Sequence, residues 1–324
     1  MQRILILGGS GFVGRAVCEQ LAAHPVLQGA RLVVPTRRRD RARHLSVLPQ
    51  VDVVEADVND QDTLLAVSSG CDAVVNLIAI LHGTPGAFEA AHVALCRRLV
   101  QACRHGGVPR IVHVSALGVP EGDPATAPSL YLRSKAEGER LLRSAEGLAV
   151  TVLRPSVIFG EHDRFLNLFA TLQRLMPVMP LAGSDARFQP VWVEDVARAI
   201  VACLSHPSTA GKTYELAGPR VYTLQELVAL AGQWSGHARV VVPMPMAVGR
   251  MQAALMACLP GEPPMSADNL DSMKVPNVAS GAHPGLAALG IIATALEAVA
   301  PAYLRRQVRG VQQWLDAWRQ GARR

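Results

Sequence analysis

Short apolar runs of strand length alternate with helix-period segments over the first two thirds of the chain. Ile4–Leu7, Arg31–Pro35, Val51–Glu55, Asp72–Ile80, Arg110–Ala116, Val150–Leu153 and Thr213–Leu216 read as strands. They are apolar on both alternating faces, as strands covered on both sides must be. Between them the helical period recurs: Val13, Ala16, Val17 and Leu21 share one face, and helices are predicted from near Asp62, over Phe88–His105, from Tyr131 to about Ala145, over Phe165–Leu175 and over Val196–Leu204. Asp60 is placed to cap the second helix and Asp195 to start a later one, and Thr223 with Glu226 forms a capping box before another. This alternation predicts an α/β fold, a Rossmann-type doubly wound parallel sheet, with a small C-terminal α/β substrate lobe. The expected partition is residues 1–160 as the domain of the sheet, with returning segments at about 189–218, and residues 161–324 as the interleaved lobe. From about Val240 the chain is rich in Ala, Met and Pro, and a last helix is predicted with Leu304, Val308, Val311, Leu315 and Trp318 on one face.

The first strand runs straight into Gly8, Gly11 and Gly14, spaced three apart. In such a turn the first glycine permits the reversal, the second exposes backbone to a phosphate, and the third lets helix and strand pack closely. The helix that opens there points unpaired N–H groups and its positive dipole end at the loop, which favours an anion. A dinucleotide cradle is therefore expected here. After the second strand the residues are Thr36, Arg37, Arg38 and Arg39, with no acid before Asp40. An acid at this point would hold ribose hydroxyls, whereas a guanidinium grips a 2′-phosphate, so NADP(H) is expected over NAD(H). Asp57 can meet the adenine amino group, while Asp60 serves equally well as a helix cap.

Ser115 ends the fifth strand, and Tyr131 and Lys135 follow it four residues apart on a predicted helix. That spacing places phenol and ammonium on one face, where the cation would lower the phenol's pKa toward neutrality and make it an acid/base. With four tyrosines and three lysines in the chain, chance supplies only about 0.04 such pairs.

Composition narrows the field without naming a substrate. Half of the 324 residues are hydrophobic and 18% are charged, which excludes extensive disorder. The net charge is +6, but it is almost all scattered arginine with no interleaved aromatics, so no nucleic-acid partner is expected. The six cysteines show neither CxxC nor metal spacing and read as buried apolar groups in a reducing compartment, with no metal expected. The N-terminal apolar run is too short for a signal peptide. The windows Val240–Leu259 and Leu286–Leu304 are interrupted by Pro243, Pro245, Arg250, Glu297 and Pro301, so no membrane span is expected. The expected location is cytoplasmic, with surface attachment to a membrane left open by the basic rim of the last helix.

Four stretches, Tyr131–Glu139, Leu153–Arg164, Gln189–Asp195 and Tyr214–Leu227, together give the chain a resemblance to the extended or atypical short-chain dehydrogenase/reductases. More narrowly it resembles the nicotinamide-nucleotide-binding accessory subunit family of respiratory complex I and its bacterial relatives, and it shares features with NAD-dependent epimerases and dehydratases. The resemblance implies a Rossmann domain closed by a small lobe, bound NADP(H), and a link to quinone metabolism or the respiratory chain at the inner face of a membrane. Carried onto this sequence, it implies that Gly8, Ser10, Gly11, Phe12, Val13 and Gly14 surround the pyrophosphate, Arg37 and Arg38 the 2′-phosphate, and Asp57 and Val58 the adenine. Ile78, Ala79, Lys135 and Pro155 would flank the rest of the cofactor, and Tyr131, Lys135 and Ser115 would be the catalytic group. Active relatives often carry the serine or threonine one residue later, a position that is Ala116 here.

Three functions follow. The first is an oxidoreductase exchanging hydride with a carbonyl, alcohol or quinone through Tyr131. The second is a cofactor-holding partner in a respiratory or quinone-making assembly. The third is a sugar-nucleotide epimerase or dehydratase, against which the arginines after the second strand argue.

Overall fold

A computed structural model describes residues 1–256 and 265–305. Seven parallel strands form the central sheet: β1 (Arg3–Leu7), β2 (Arg31–Thr36), β3 (Val51–Glu55), β4 (Ala73–Asn76), β5 (Arg110–Val114), β6 (Ala149–Pro155) and β7 (Thr213–Leu216). Their order is β7-β6-β5-β4-β1-β2-β3. Ile4 of β1 lies beside Leu32 of β2 on one side and Ala73 of β4 on the other. The chain winds outward from β1 through β2 to β3, returns to β4, and then winds the other way. The crevice between the carboxyl ends of β1 and β4 is thus the switch point, where such sheets bind ligands.

Strand alternation explains why both faces are covered. Ile4, Ile6, Leu32 and Val34 enter one core with Val17 and Leu21 of helix α1 (Phe12–Ala23). Leu5, Leu7 and Val33 enter a second with Leu64 of α2 (Gln61–Ser68) and Leu95 and Leu99 of α3 (Leu95–Gly106). Each such side chain contributes about 1.5–3 kcal/mol by leaving water. Asp60 caps α2, its carboxylate accepting the Thr63 N–H at 2.8 Å.

Helix α4 (Leu130–Arg143) follows β5, and α5 (Leu166–Leu175) follows the loop after β6. Helix α6 (Val193–Ser205) starts earlier than the sequence pattern predicts, with Trp192 at its cap. Asp195 is therefore not the cap. It lies buried in the first turn, paired with Arg198 and accepting the Thr294 N–H at 2.7 Å. α6 packs into the same core as α1, and β7 completes the sheet edge beside β6. The smaller lobe is built around α5, α7 (Leu224–Ser235), α8 (Met246–Met256) and α9 (Ala267–Ser272). It carries a parallel strand pair, Val178–Ala182 with Val240–Met244, and α7 has the expected Thr223–Glu226 capping box. Helical residues 296–305 place Leu296, Tyr303 and Leu304 in a core with Phe159, Leu166 and Leu227. The rest of the predicted last helix, and Cys258, lie outside the described residues. No helix among those described is long and apolar enough to cross a membrane.

The strand predicted over Asp72–Ile80 stops at Asn76. The Asn76 carboxamide accepts the Ile78 N–H at 3.2 Å, which turns the chain out of the ladder although the apolar run continues. The helix predicted from Phe88 begins with a π-helical turn, Glu89–Ala94, before α3 proper.

Candidate functional site

The glycine turn sits at the switch point. Gly8 has φ +81°, a conformation few other residues adopt, and its backbone lies against Leu77 and Ile78 of the loop after β4. A Cβ on Gly14 would collide with the Gly8 carbonyl and the Gly9 backbone, so only glycine lets α1 start this close to β1. Gly11 is the N-cap of α1, with no side-chain cap and no acid in the first turn. The opening N–H groups of α1 are therefore available to an anion, and nothing in that first turn repels one. A pyrophosphate fits this cradle.

At the end of β2, Thr36 is buried and its hydroxyl donates to the Arg38 carbonyl at 3.1 Å. The Arg37 and Arg38 side chains are exposed and make no hydrogen bond or ion pair with the described residues. Asp57, also exposed, accepts from the Asn59 N–H at 3.0 Å and Asn59 Nδ2 at 2.9 Å, and Val58 packs against the core containing Leu64. Ile78 lies beside Gly8, whereas Ala79 is exposed. Pro155 is buried at the end of β6, where its carbonyl accepts the Leu117 N–H at 3.0 Å. Ser10, Phe12 and Val13 line the partly exposed mouth of the turn.

Tyr131 and Lys135 lie four residues apart on α4, but the electrostatics differ from the sequence expectation. Lys135 is 1% exposed, and Nζ donates to the Val114 carbonyl at 2.7 Å. Burial lowers its pKa to about 8, opposed by Cys96 and Glu139. The Tyr131 phenol is pushed up, not down, to about 12, because burial dominates and no cation offsets it. Tyr131 packs against an apolar cluster of Ala116, Val119, Ala127, Leu132 and Ala136. The side chain from the end of β5 in that cluster is the methyl of Ala116. Ser115, by contrast, is buried with its Oγ unpaired among the described residues. Placing Ser115 in the catalytic group is thus not supported by any contact with Tyr131.

Sequence reasoning missed two histidines. His92, in the π-helical turn, stands edge-on to Tyr131 with ring centres 5.7 Å apart. Its Nε2 accepts the Ile80 N–H at 3.0 Å, so Nδ1 carries the proton and donates to Ser134 Oγ at 2.8 Å. Ser134 Oγ in turn donates to the Tyr131 carbonyl at 2.9 Å. Burial and the nearby Lys135 hold His92 neutral, with a pKa of about 3. His113, in β5, is held well below its usual range by burial first and then by the Lys135 charge, and contacts Asn76 Nδ2 at 3.2 Å. Their only sequence signal was a polar residue on an otherwise buried face. Farther along the sheet, Arg154 is buried between Glu139 (2.5 Å) and Glu121, and Glu121 also meets His283 at 2.6 Å. Among the described residues no group of three or more His, Cys, Asp or Glu could hold a metal.

The chain with this parallel sheet resembles known proteins in sequence and in fold. The sequence profile of the NAD dependent epimerase/dehydratase family aligns with residues 4–217. The chain belongs to this family. It is 32% identical over 319 residues to mouse NADH dehydrogenase (ubiquinone) 1 alpha subcomplex subunit 9, mitochondrial, covering 96% of this chain and 81% of that protein. The Arabidopsis thaliana protein of the same name is 35% identical over 255 residues, but the match covers 75% of this chain and only 61% of that relative's length. Among solved structures, dTDP-glucose 4,6-dehydratase from Streptomyces venezuelae with NAD and TYD bound superposes with a TM-score of 0.67 at 26% identity, covering 75% of this chain and 84% of that one. A nucleoside-diphosphate-sugar epimerase from Staphylococcus aureus shares the fold, with a TM-score of 0.72 at 20% identity, 94% coverage of this chain and 100% of that one. The doubly wound fold and the resemblance expected from the sequence both hold.

Proposed function

We propose that this protein holds NADP(H) in the Gly8–Gly14 cradle and serves as a cofactor-bearing partner of a quinone-linked respiratory assembly, attached peripherally at the inner face of a membrane. The observation that carries the reading is the surroundings of Tyr131. Its ring packs on the cluster containing Ala116, with no hydroxyl from that residue to polarise a substrate, and burial holds its phenol near pKa 12. Such a site is built to keep a nucleotide in place better than to exchange protons at neutral pH.

Several parts of the chain support cofactor binding. The opening N–H groups of α1 would take the pyrophosphate, and the exposed Arg37 and Arg38 would take a 2′-phosphate. Asp57 and Val58 would flank the adenine, and Ile78, Ala79 and Pro155 the remainder. Lys135 would face the nicotinamide ribose. The bound cofactor would supply hydride chemistry, while the chain's own residues bind and orient it. NADP(H) over NAD(H) rests on the unpaired guanidinium groups of Arg37 and Arg38, where an acid is lacking. The respiratory link rests on the relatives named as subunits of NADH dehydrogenase.

The shared helix face of Tyr131 and Lys135 favours a second reading, an oxidoreductase acting on a carbonyl or quinone. One experiment separates the two. Purified protein is denatured, the released nucleotide identified, and the native protein then offered quinones and carbonyls. NADPH that is released but stays reduced supports the holding role, while Tyr131-dependent oxidation establishes the enzyme. Protein with no nucleotide and no affinity for one defeats both readings.

A further inference from the structure

Residues 266–281 cross the carboxyl end of the sheet and bond to segments at β4, β5, β6 and β7 in turn. Asn269 Nδ2 donates to the Leu81 carbonyl after β4 at 3.2 Å. The Asp268 carboxylate accepts the Leu130 and Tyr131 N–H groups that open α4, at 2.6 and 3.1 Å. Ser272 Oγ bonds Ser129 Oγ, the cap of the same helix, at 2.8 Å. Asn277 reaches both next loops: Nδ2 donates to the Leu117 carbonyl at 3.4 Å, and Oδ1 accepts Ser156 Oγ at 2.7 Å and the Val157 N–H at 2.8 Å. At the edge, Ser280 and Gly281 donate to the Glu215 carboxylate in β7 at 2.7–3.0 Å.

We propose that this segment is a strap by which the C-terminal lobe senses occupancy of the nucleotide site, with Asp268 as the positioning residue for Tyr131. The inference rests on the nucleotide-holding reading above. Of the N–H groups that open α4, Ser129 Oγ accepts that of Leu132, and the two before it donate to a carboxylate from 138 and 137 residues away. That carboxylate also sits at the positive end of the α4 dipole, so it fixes where the helix, and with it Tyr131, begins. The same strap holds Val157, two residues beyond Pro155, on the opposite flank of the expected nicotinamide position. An open cleft of about 500 Å³ bordered by Leu130, Arg133, Ser266 and Asp268 lets water reach this junction, so these bonds can open without unfolding the sheet. A nucleotide that needs Tyr131 and the loop after β6 in place must bind more tightly to the strapped form. By reciprocity it must hold the strap down by the same factor.

The test uses full-length protein, NADPH titration by fluorescence, and hydrogen exchange of the Leu130, Tyr131, Val157, Ser280 and Gly281 amides. NADPH is expected to slow exchange at all five. Asp268→Asn, which keeps shape but removes the charge, is expected to weaken NADPH binding about tenfold and to abolish the added protection. Asp268→Glu is expected to restore part of both. Should Asp268→Asn fail to fold, Ser272→Ala, which removes one strap bond only, is read in the same way and should weaken binding about twofold. Wild-type affinity in these variants, or strap exchange indifferent to NADPH that binds tightly, overturns the strap and leaves the nucleotide reading intact. Wild-type protein that never binds NADPH overturns both.

Discussion

Lys135 offers a measurement in which the cost of the site can be read directly. Its side chain is 1% exposed, and burial brings its pKa from 10.5 to about 8. The unfolded chain keeps the higher value. Between those two values the unfolded chain holds a proton that the folded chain has released, so this group makes stability rise with pH across that window. The gap between 10.5 and about 8 corresponds to about 3 kcal/mol. Lys135→Met keeps the apolar stem and removes the titration, but leaves the Val114 carbonyl without its donor, at a cost of about 1–3 kcal/mol at every pH. Urea unfolding of nucleotide-free wild type and variant is measured at pH 7, 8, 9 and 10.5. The stability difference, wild type minus variant, should move by about 3 kcal/mol in favour of wild type between pH 7 and 10.5. Buried cysteines such as Cys18 and Cys103, whose thiols are pushed up to about 12, act in the opposite sense at high pH. They are common to both proteins and cancel. A difference that stays flat within about 1 kcal/mol would show that Lys135 is not held against its charge, and the account of the site's electrostatics would fall.

Arg37→Ala should lower NADPH affinity about tenfold and leave NADH affinity nearly unchanged, as calorimetry with the two nucleotides can check. An unchanged ratio would refute the assignment of the 2′-phosphate site. Glu139→Ala should destabilise the fold by about 3 kcal/mol, since it leaves Arg154, whose side chain is 4% exposed, with only the half-exposed Glu121. Thermal and chemical unfolding both report this, and a loss below about 1 kcal/mol would mean that Glu121 alone suffices.

The sheet was legible because its cause is local. Each strand is an apolar run short enough to count, and the glycine spacing marks the turn between β1 and α1. The Tyr131–Lys135 spacing was equally plain, but its consequence was not. Spacing indicates that two groups share a face, whereas the sign of a pKa shift depends on burial, to which Ala116 and Val119 contribute from elsewhere in the chain. The end of β4 is not legible in the apolar pattern, since hydrophobicity continues to Ile80 while a single carboxamide, Asn76, turns the backbone away. α6 begins at Val193 rather than after Asp195, because Asp195, a residue type that favours helix caps, is instead held in the first turn by Arg198 and Thr294. Asp268 and Asn277 lay in a stretch read only as rich in Ala, Met and Pro. The partners of their side chains are more than 100 residues away, and no local pattern encodes such a bond.

The return of the chain to the sheet at Thr213–Leu216 bears on how the protein is made. β6 is finished at Pro155, but the strand that covers its outer edge ends at Leu216. At ribosomal speeds the intervening stretch takes about 3–12 s to synthesise, during which a nearly complete parallel sheet carries an unpaired edge. That edge presents unpaired N–H and C=O groups, on a strand whose Val150, Val152 and Leu153 side chains are all buried in the finished protein. α6, which seals the core over α1, also arrives within this interval. A nascent chain stalled near residue 200 is therefore expected to be a substrate for chaperones, and a fragment cut at residue 160 to aggregate. The Gly8–Gly14 turn must wait for a strand some 200 residues later before the sheet beneath it is closed.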